Sequence, residues 1–245
     1  MIVRPMTVYV LTFRGIDEKL VGNLLDQYVD ALPVWWQRIE VPWLAQYGNG
    51  ASYAQSLAQG MQLGRNMIAE ILARDPDARI VLAGYSGGAA LAGDLANEFV
   101  GKVTVSVLVA DPNDVGDANE FGIAGRRAVR GRHLRVAARG DAIPRCPRLS
   151  PLRPLALLSP HMALGDRAVW ARDVRRKLAD PKVRAEIAAQ IGPPWSPLTW
   201  ARYDRARIDV DNYLSGRGHV RAYTDRVGGQ SMLTRAAQWT ATAVI

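Results

Sequence analysis

Along the 245-residue chain, short apolar runs rich in β-branched residues alternate with stretches whose apolar positions recur every three or four residues. The runs at 7–13, 34–41, 79–83, 103–110 and 133–139 predict five strands, each stopped by a glycine, a proline or an aspartate. Between the first two, Leu20, Val21, Leu24, Leu25, Tyr28, Val29 and Leu32 have helical spacing up to Pro33, with Asp17 placed to cap. A second helix opens at Ser52, carries Leu57, Met61, Leu63, Met67, Ile68, Ile71 and Leu72 on one stripe, and ends near Asp75-Pro76. Further helices are expected at 89–100 and 231–244. Strands alternating with helices predict an α/β fold with a five-stranded, mostly parallel, doubly wound sheet, and the 7–13 run is expected as its first, central strand.

The pattern changes after Asp141. Nine of the 14 prolines lie from Pro144 to Pro197, and helical periodicities follow at 166–179, 182–191 and 198–213. The segment of about 147–213 reads as a helical insert within one domain spanning 1–245. Beside the active face it would serve as a lid, and otherwise as added packing on the sheet. Leu152, Leu155, Leu157, Leu158 and Leu164, with Trp170, Trp195 and Trp200, supply apolar surface suited to an acyl chain. Leu157 and Leu158 are the candidates chosen for contact with it.

The third run leads into Gly84-Tyr85-Ser86-Gly87-Gly88 and then an Ala/Leu-rich helix. Strand, G-x-S-x-G and helix in that order are the signature of a nucleophile elbow, in which a sharp turn holds the serine clear of the sheet. Gly84 and Gly88 leave room for the crossing backbone, and the N–H of Gly87 is placed to face a developing oxyanion. A serine nucleophile needs a base, and the chain has three histidines. His219, in a glycine-flanked loop before the last helix, is preferred; His161, in the proline-rich segment, competes, and His133, at the start of a strand, reads as structural. Asp141, just past the fifth strand, completes the order Ser, Asp, His, with Asp111 and Asp166 as alternates.

Composition narrows the partners. The net charge is +8, but its source is 27 Arg and 4 Lys spread without a dense run, which fits a solvated surface and not a nucleic-acid groove. The single cysteine, Cys146, excludes an internal disulfide and a cysteine metal cluster. After Arg4-Pro5 comes an apolar run of about eight residues without a cleavage pattern, so neither a signal peptide nor stable membrane insertion is expected. Synthesis in the cytoplasm, action as a monomer and chemistry without a metal or organic cofactor complete the expectation.

The elbow Gly84-Tyr85-Ser86-Gly87-Gly88-Ala89 resembles the cutinase elbow G-Y-S-Q-G-A, and Arg14-Gly15-Ile16-Asp17-Glu18 is similar to the R-G-[S/T]-x-E oxyanion segment of that family. The resemblance covers about 7–141 and 215–245 and implies a cutinase-like α/β-hydrolase fold. It also implies an oxyanion hole built from the backbone N–H groups of Ile16 and Gly87. Gly87 stands where glutamine is usual, and Ile16 where a hydroxyl residue is usual. The helical segment before the histidine, the absent disulfides and the R-G-H-x-x-A-Y-like stretch at 217–223 resemble the lysin B esterases of bacteriophages that infect mycobacteria and their relatives. That resemblance implies hydrolysis of the lipid ester joining mycolic acids to arabinogalactan in the cell envelope during host lysis. A cutinase-like lipid or polyester esterase and a non-catalytic wall-binding domain are the alternatives.

Overall fold

A computed structural model describes residues 7–163, 165 and 167–244; Leu164 and Asp166 lie outside the described residues. The strands of the main sheet are β1 (Val8–Phe13), β2 (Gln37–Glu40), β3 (Arg79–Tyr85), β4 (Val103–Val109) and β6 (His133–Val136), and a separate antiparallel ribbon pairs β5 (Glu120–Phe121) with β7 (Cys146–Pro147). The main sheet runs β2-β1-β3-β4-β6 and is parallel throughout. β3 therefore takes the middle, with β1 beside it and not central. Every strand delivers its last residue to one edge, where sheets of this kind place their ligands.

The two-residue period of the strands divides the core into two faces. Val81, Ala83 and Tyr85 of β3 join Val8, Val10, Val105 and Val107 on one side, against Leu25, Tyr28, Leu233 and Ala237. Ile80 and Leu82 join Leu11, Phe13 and Leu108 on the other, against Ile68, Leu91, Leu95 and Trp43. The helices over these faces are α1 (Asp26–Val29), α2 (Tyr53–Arg74), α3 (Gly87–Glu98) and, last in the chain, Met232–Val244. α2 begins at Ser52 with a full capping box: Ser52 Oγ accepts the Gln55 N–H and the Gln55 side chain accepts that of Ser52.

Three expected elements shrink, among them the strand over 133–139, which ends at Val136. The helix over 20–32 is the single turn α1, because side chains claim its backbone first: Glu18 accepts the N–H of Leu24 at 2.9 Å, Asp26 accepts that of Gly22 at 2.8 Å, and Gly22 is left-handed at φ 77°. The strand over 34–41 keeps only four residues. Val34 and Trp35 are turned outward, 94% and 75% exposed, in the turn before it.

The insert contains α4 (Leu152–Leu158), α5 (Arg167–Ala179), α6 (Pro181–Ile191) and α7 (Pro197–Leu214); the last three match their expected periodicities, and α4 forms where only an apolar stretch is legible. After α7 come a π-helical turn, Arg217–Arg221, then α8 (Ala222–Thr224) and α9 (Met232–Val244). α4 is tied to the ribbon by Arg153. Its buried guanidinium donates to the carbonyls of Pro147, Gly122, Ile123, Phe121 and Cys146 and lies 3.5 Å from the centre of the Phe121 ring. No described helix is long and apolar enough to cross a membrane.

Candidate active site

β3 turns directly into α3, and Ser86 at the junction adopts φ 54°, ψ −120°. Such a conformation costs a non-glycine residue about 1–3 kcal/mol and holds the hydroxyl away from the sheet. The glycines around it make the turn possible. A Cβ at Gly84 would stand 2.2 Å from the Gly88 carbonyl oxygen, and one at Gly88 only 2.0 Å from that of Phe13. Asp17, Ala45 and Ala110 are the other described non-glycine residues with positive φ, and they follow β1, β2 and β4. Backbone strain is thus concentrated at the edge that carries Ser86.

Glycine also decides where the base sits. Gly216, left-handed at φ 69°, ends α7 and opens the π-helical turn. A Cβ on Gly218 would lie 2.8 Å from the Gly140 carbonyl, so glycine lets the histidine loop rest on the loop carrying Asp141. His219 Nε2 stands 2.9 Å from Ser86 Oγ, and Nδ1 stands 2.9 Å from Asp141 Oδ2. All three residues are buried. Asp141 accepts further bonds from the Tyr223 hydroxyl at 2.7 Å and the Ile143 N–H at 3.0 Å, and the Tyr223 oxygen accepts the Ala138 N–H. Burial first, and then the negative charge of Asp141, push the Tyr223 phenol well above its ordinary range, so it remains a donor to the carboxylate.

Two aromatic rings fix the imidazole plane. Tyr85 stacks on it with centroids 5.0 Å apart, Tyr213 of α7 lies 4.9 Å away on a tilt, and the Tyr85 hydroxyl donates to the His219 carbonyl. A carboxylate on Nδ1 holds the proton there and leaves the Nε2 lone pair toward the serine, the arrangement a general base requires.

Ile16 and Gly87 lie beside Ser86 on the same cavity, and neither backbone N–H meets a backbone acceptor among the described residues. A Cβ at position 87 would stand 3.0 Å from Ile16 Cδ1 and 3.3 Å from the Trp43 ring. The two departures from the cutinase pattern are therefore complementary: the isoleucine fills the space into which a larger residue 87 would point. The loop bearing Ile16 is held by Glu18, whose carboxylate accepts the Gly15 N–H at 2.7 Å, and by Arg14, which donates to the carbonyls of Glu18 and Trp43.

The competing residues lie elsewhere. Asp111 is buried in ion pairs with Arg127 at 2.7 Å and Arg135 at 3.1 Å, burial raising its carboxyl and the arginines opposing that rise. His161 is 3.9 Å from Asp173, and His133 bonds the Gly131 carbonyl. Asp166 falls outside the described residues.

Ser86 opens into a cavity of about 420 Å³. Tyr47, Tyr53, Ile123 and Ile143 line the side of the sheet edge, Leu152, Leu155 and Ala156 of α4 form one wall, and Asp209, Val210, Tyr213 and Leu214 of α7 form another. Leu157 and Leu158 do not line it. Their carbonyls accept from Lys177 and Trp170, which fastens that side of α4 to α5. Trp195 and Trp200 face solvent, 83% and 62% exposed. The aromatic pair around His219, the Tyr223 bond and Asp209 escape sequence reasoning; only the spacing of His219 and Tyr223 in the 217–223 stretch hints at one of them.

Comparison with known proteins places this geometry in a family. The Cutinase family model matches residues 17–143. Among solved structures, lysin B from Mycobacteriophage D29 superposes with a TM-score of 0.54 at 13% identity, over 96% of this chain and 98% of that one. A cutinase-like protein from Cryptococcus sp. gives 0.47 at 16% identity over 76% and 93% of the two chains, and the acetyl xylan esterase catalytic core of Trichoderma reesei gives 0.43 at 16% over 76% and 98%. No curated protein sequence matches. The superposition on lysin B takes in the helical insert as well as the sheet, and at this identity it speaks for the fold alone. The family match runs from the loop after β1, through the elbow, to the loop of Asp141 and takes in more than half of the residues; the chain belongs to the cutinase family of ester hydrolases.

Proposed function

We propose that the protein is a serine esterase that cleaves the ester between mycolic acids and arabinogalactan, made in the host cytoplasm and acting on the cell envelope after release during phage lysis. The observation that carries the chemistry is the unbroken line from Ser86 Oγ through His219 to Asp141, at 2.9 Å and 2.9 Å, opening on an apolar cavity. In this reading His219 Nε2 takes the Ser86 proton as Oγ attacks the ester carbonyl carbon, and the carbonyl π electrons move to oxygen. The Ile16 and Gly87 N–H groups receive that oxyanion. Collapse of the tetrahedral adduct expels the sugar alkoxide, which takes the proton back from His219. Water then repeats the sequence on the acyl-enzyme, freeing the acid and restoring Ser86. Asp141 stabilises the imidazolium without taking its proton.

The full-length fold likeness to a lysin B and the apolar walls supplied by α4 and α7 support the choice of a large lipid ester. The test is release of free mycolic acid from purified mycolyl-arabinogalactan. Wild-type protein is expected to liberate it and Ser86→Ala protein is not. Hydrolysis of soluble esters with no release from the wall material would favour the cutinase-like lipid or polyester esterase instead.

The acyl wall makes a separate prediction. Each buried methylene is worth up to about 0.8 kcal/mol, so kcat/KM for monomeric p-nitrophenyl esters should rise about tenfold per two carbons until the cavity is filled. Leu155→Ser, on the cavity wall, should flatten that rise, whereas Leu157→Ser should keep the wild-type profile. Identical profiles for wild type and Leu155→Ser would remove α4 from the acyl site.

A further inference from the structure

The cavity wall is apolar along α4 but not beside the oxyanion segment. Ile16 is followed by Asp17, which is exposed and lines the same cavity as Ser86 and Gly87. Two acids stand side by side there with opposite uses. Glu18 is engaged by the N–H groups of Gly15 and Leu24, whereas the Asp17 carboxylate accepts no hydrogen bond and joins no ion pair among the described residues, in a chain with 31 Lys and Arg against 23 acids. The backbone that carries it is fixed. Asp17 has φ 59°, a left-handed value, and its N–H donates to the Ala45 carbonyl at 2.8 Å.

The charge also reaches the side of the base. Tyr213, whose ring centre is 4.9 Å from that of His219, lines the cavity too, and its phenol is raised by burial first, then by Asp141 and then by Asp17. In the tetrahedral adduct described above, the oxyanion facing the Ile16 N–H and the oxygen that takes a proton from His219 belong to one carbon. The leaving alcohol therefore emerges between the Ile16 loop and the imidazole, the region that Asp17 and Tyr213 border. A negative charge beside an oxyanion hole opposes the charge the hole must gather, but a carboxylate is a strong acceptor for hydroxyl groups, which a simple alkyl alcohol lacks once it is esterified.

Building on the serine-esterase reading above, we infer that Asp17 is a specificity-determining residue, whose carboxylate accepts hydrogen bonds from the free hydroxyls of a polyhydroxylated leaving alcohol. The site thereby prefers sugar esters to alkyl esters of the same acid, and this preference resides in the alcohol half of the substrate, apart from the acyl chain on the α4 wall.

The experiment compares two monomeric octanoate esters: methyl arabinofuranoside octanoylated on its primary hydroxyl, and tetrahydrofurfuryl octanoate, which presents a like ring without hydroxyls. The kcat/KM ratio of the first to the second is taken within each protein, so any general loss of activity cancels. Wild type is expected to favour the sugar ester about tenfold, the worth of a charged hydrogen bond reduced by solvent, and Asp17→Gly, which the left-handed backbone admits, to bring the ratio near one. Asp17→Asn, which tolerates the same φ and loses only the charge, is expected to cut the preference severalfold. A ratio near one in wild type overturns the inference while leaving the esterase reading in place, as does an unchanged ratio in either variant. Hydrolysis of neither ester by wild type would instead defeat the serine-esterase reading, and this inference with it.

Discussion

Ser86→Ala is expected to fold as wild type and to lose about 10⁶ in kcat, the scale on which removing the nucleophile of a serine hydrolase abolishes turnover. The substitution removes one buried hydroxyl whose recorded side-chain partner is His219, and it leaves Gly84 and Gly88, on which the turn depends, untouched. A Cβ is already accommodated at φ 54°, so the backbone has no new clash to relieve. Thermal unfolding should therefore remain within a few degrees of wild type while initial rates on a p-nitrophenyl ester collapse. A fluorophosphonate should label wild-type protein at Ser86 and leave the alanine protein unmodified. Activity within tenfold of wild type in folded Ser86→Ala protein would end the serine-esterase assignment.

His219→Ala should be as damaging, again about 10⁶ in kcat, and the double variant with Ser86→Ala should be no worse than either alone, because nucleophile and base act as a unit. His161→Ala is the informative contrast. His161 sits beside Asp173, which already holds Arg176 at 2.7 Å and Lys177 at 2.6 Å, so its loss should change kcat less than threefold, under about 0.7 kcal/mol in the barrier. Rates measured on one soluble ester for the three variants decide the matter. A severe loss in His161→Ala with a mild one in His219→Ala would move the base into the insert.

The parts of this site that are local in sequence were legible in it. The run into Gly84-Tyr85-Ser86-Gly87-Gly88 carries its own strand, turn and helix signals, and the two glycines flanking Tyr85-Ser86-Gly87 are required by contacts within 2.2 Å. The Ser52 capping box and the long stripe of α2 are equally local. The helix expected over 20–32 was not legible as a single turn, because apolar spacing reports which faces can be buried and says nothing of side chains such as Glu18 that compete for the backbone N–H groups. The β5–β7 ribbon has two residues per strand, too few to show a period. Leu155 and not Leu157 faces the cavity because of how α4 is rotated against α5, a tertiary fact fixed by Lys177 and Trp170. The same holds for Tyr85 and Tyr213: they converge on His219 from the end of β3 and from α7, and no spacing in the chain encodes that convergence.

The clamp made by Arg153 bears on how a substrate enters. Swinging α4 outward would strip one buried guanidinium from five carbonyl oxygens, those of Gly122 and Cys146 on buried residues, and at about 1.5–3 kcal/mol for a hydrogen bond to a charged group the total is a large share of the stability of a domain. α4 is therefore expected to stay in place while a substrate enters. Leu155 and Leu214 are the most exposed leucines on the cavity wall, at 65% and 76%, and for the lipid ester proposed above an acyl chain would have to be drawn out of its own layer to pass them. On that proposed substrate, extraction from the layer, before any bond is broken, becomes a step that the packing of neighbouring lipids can slow.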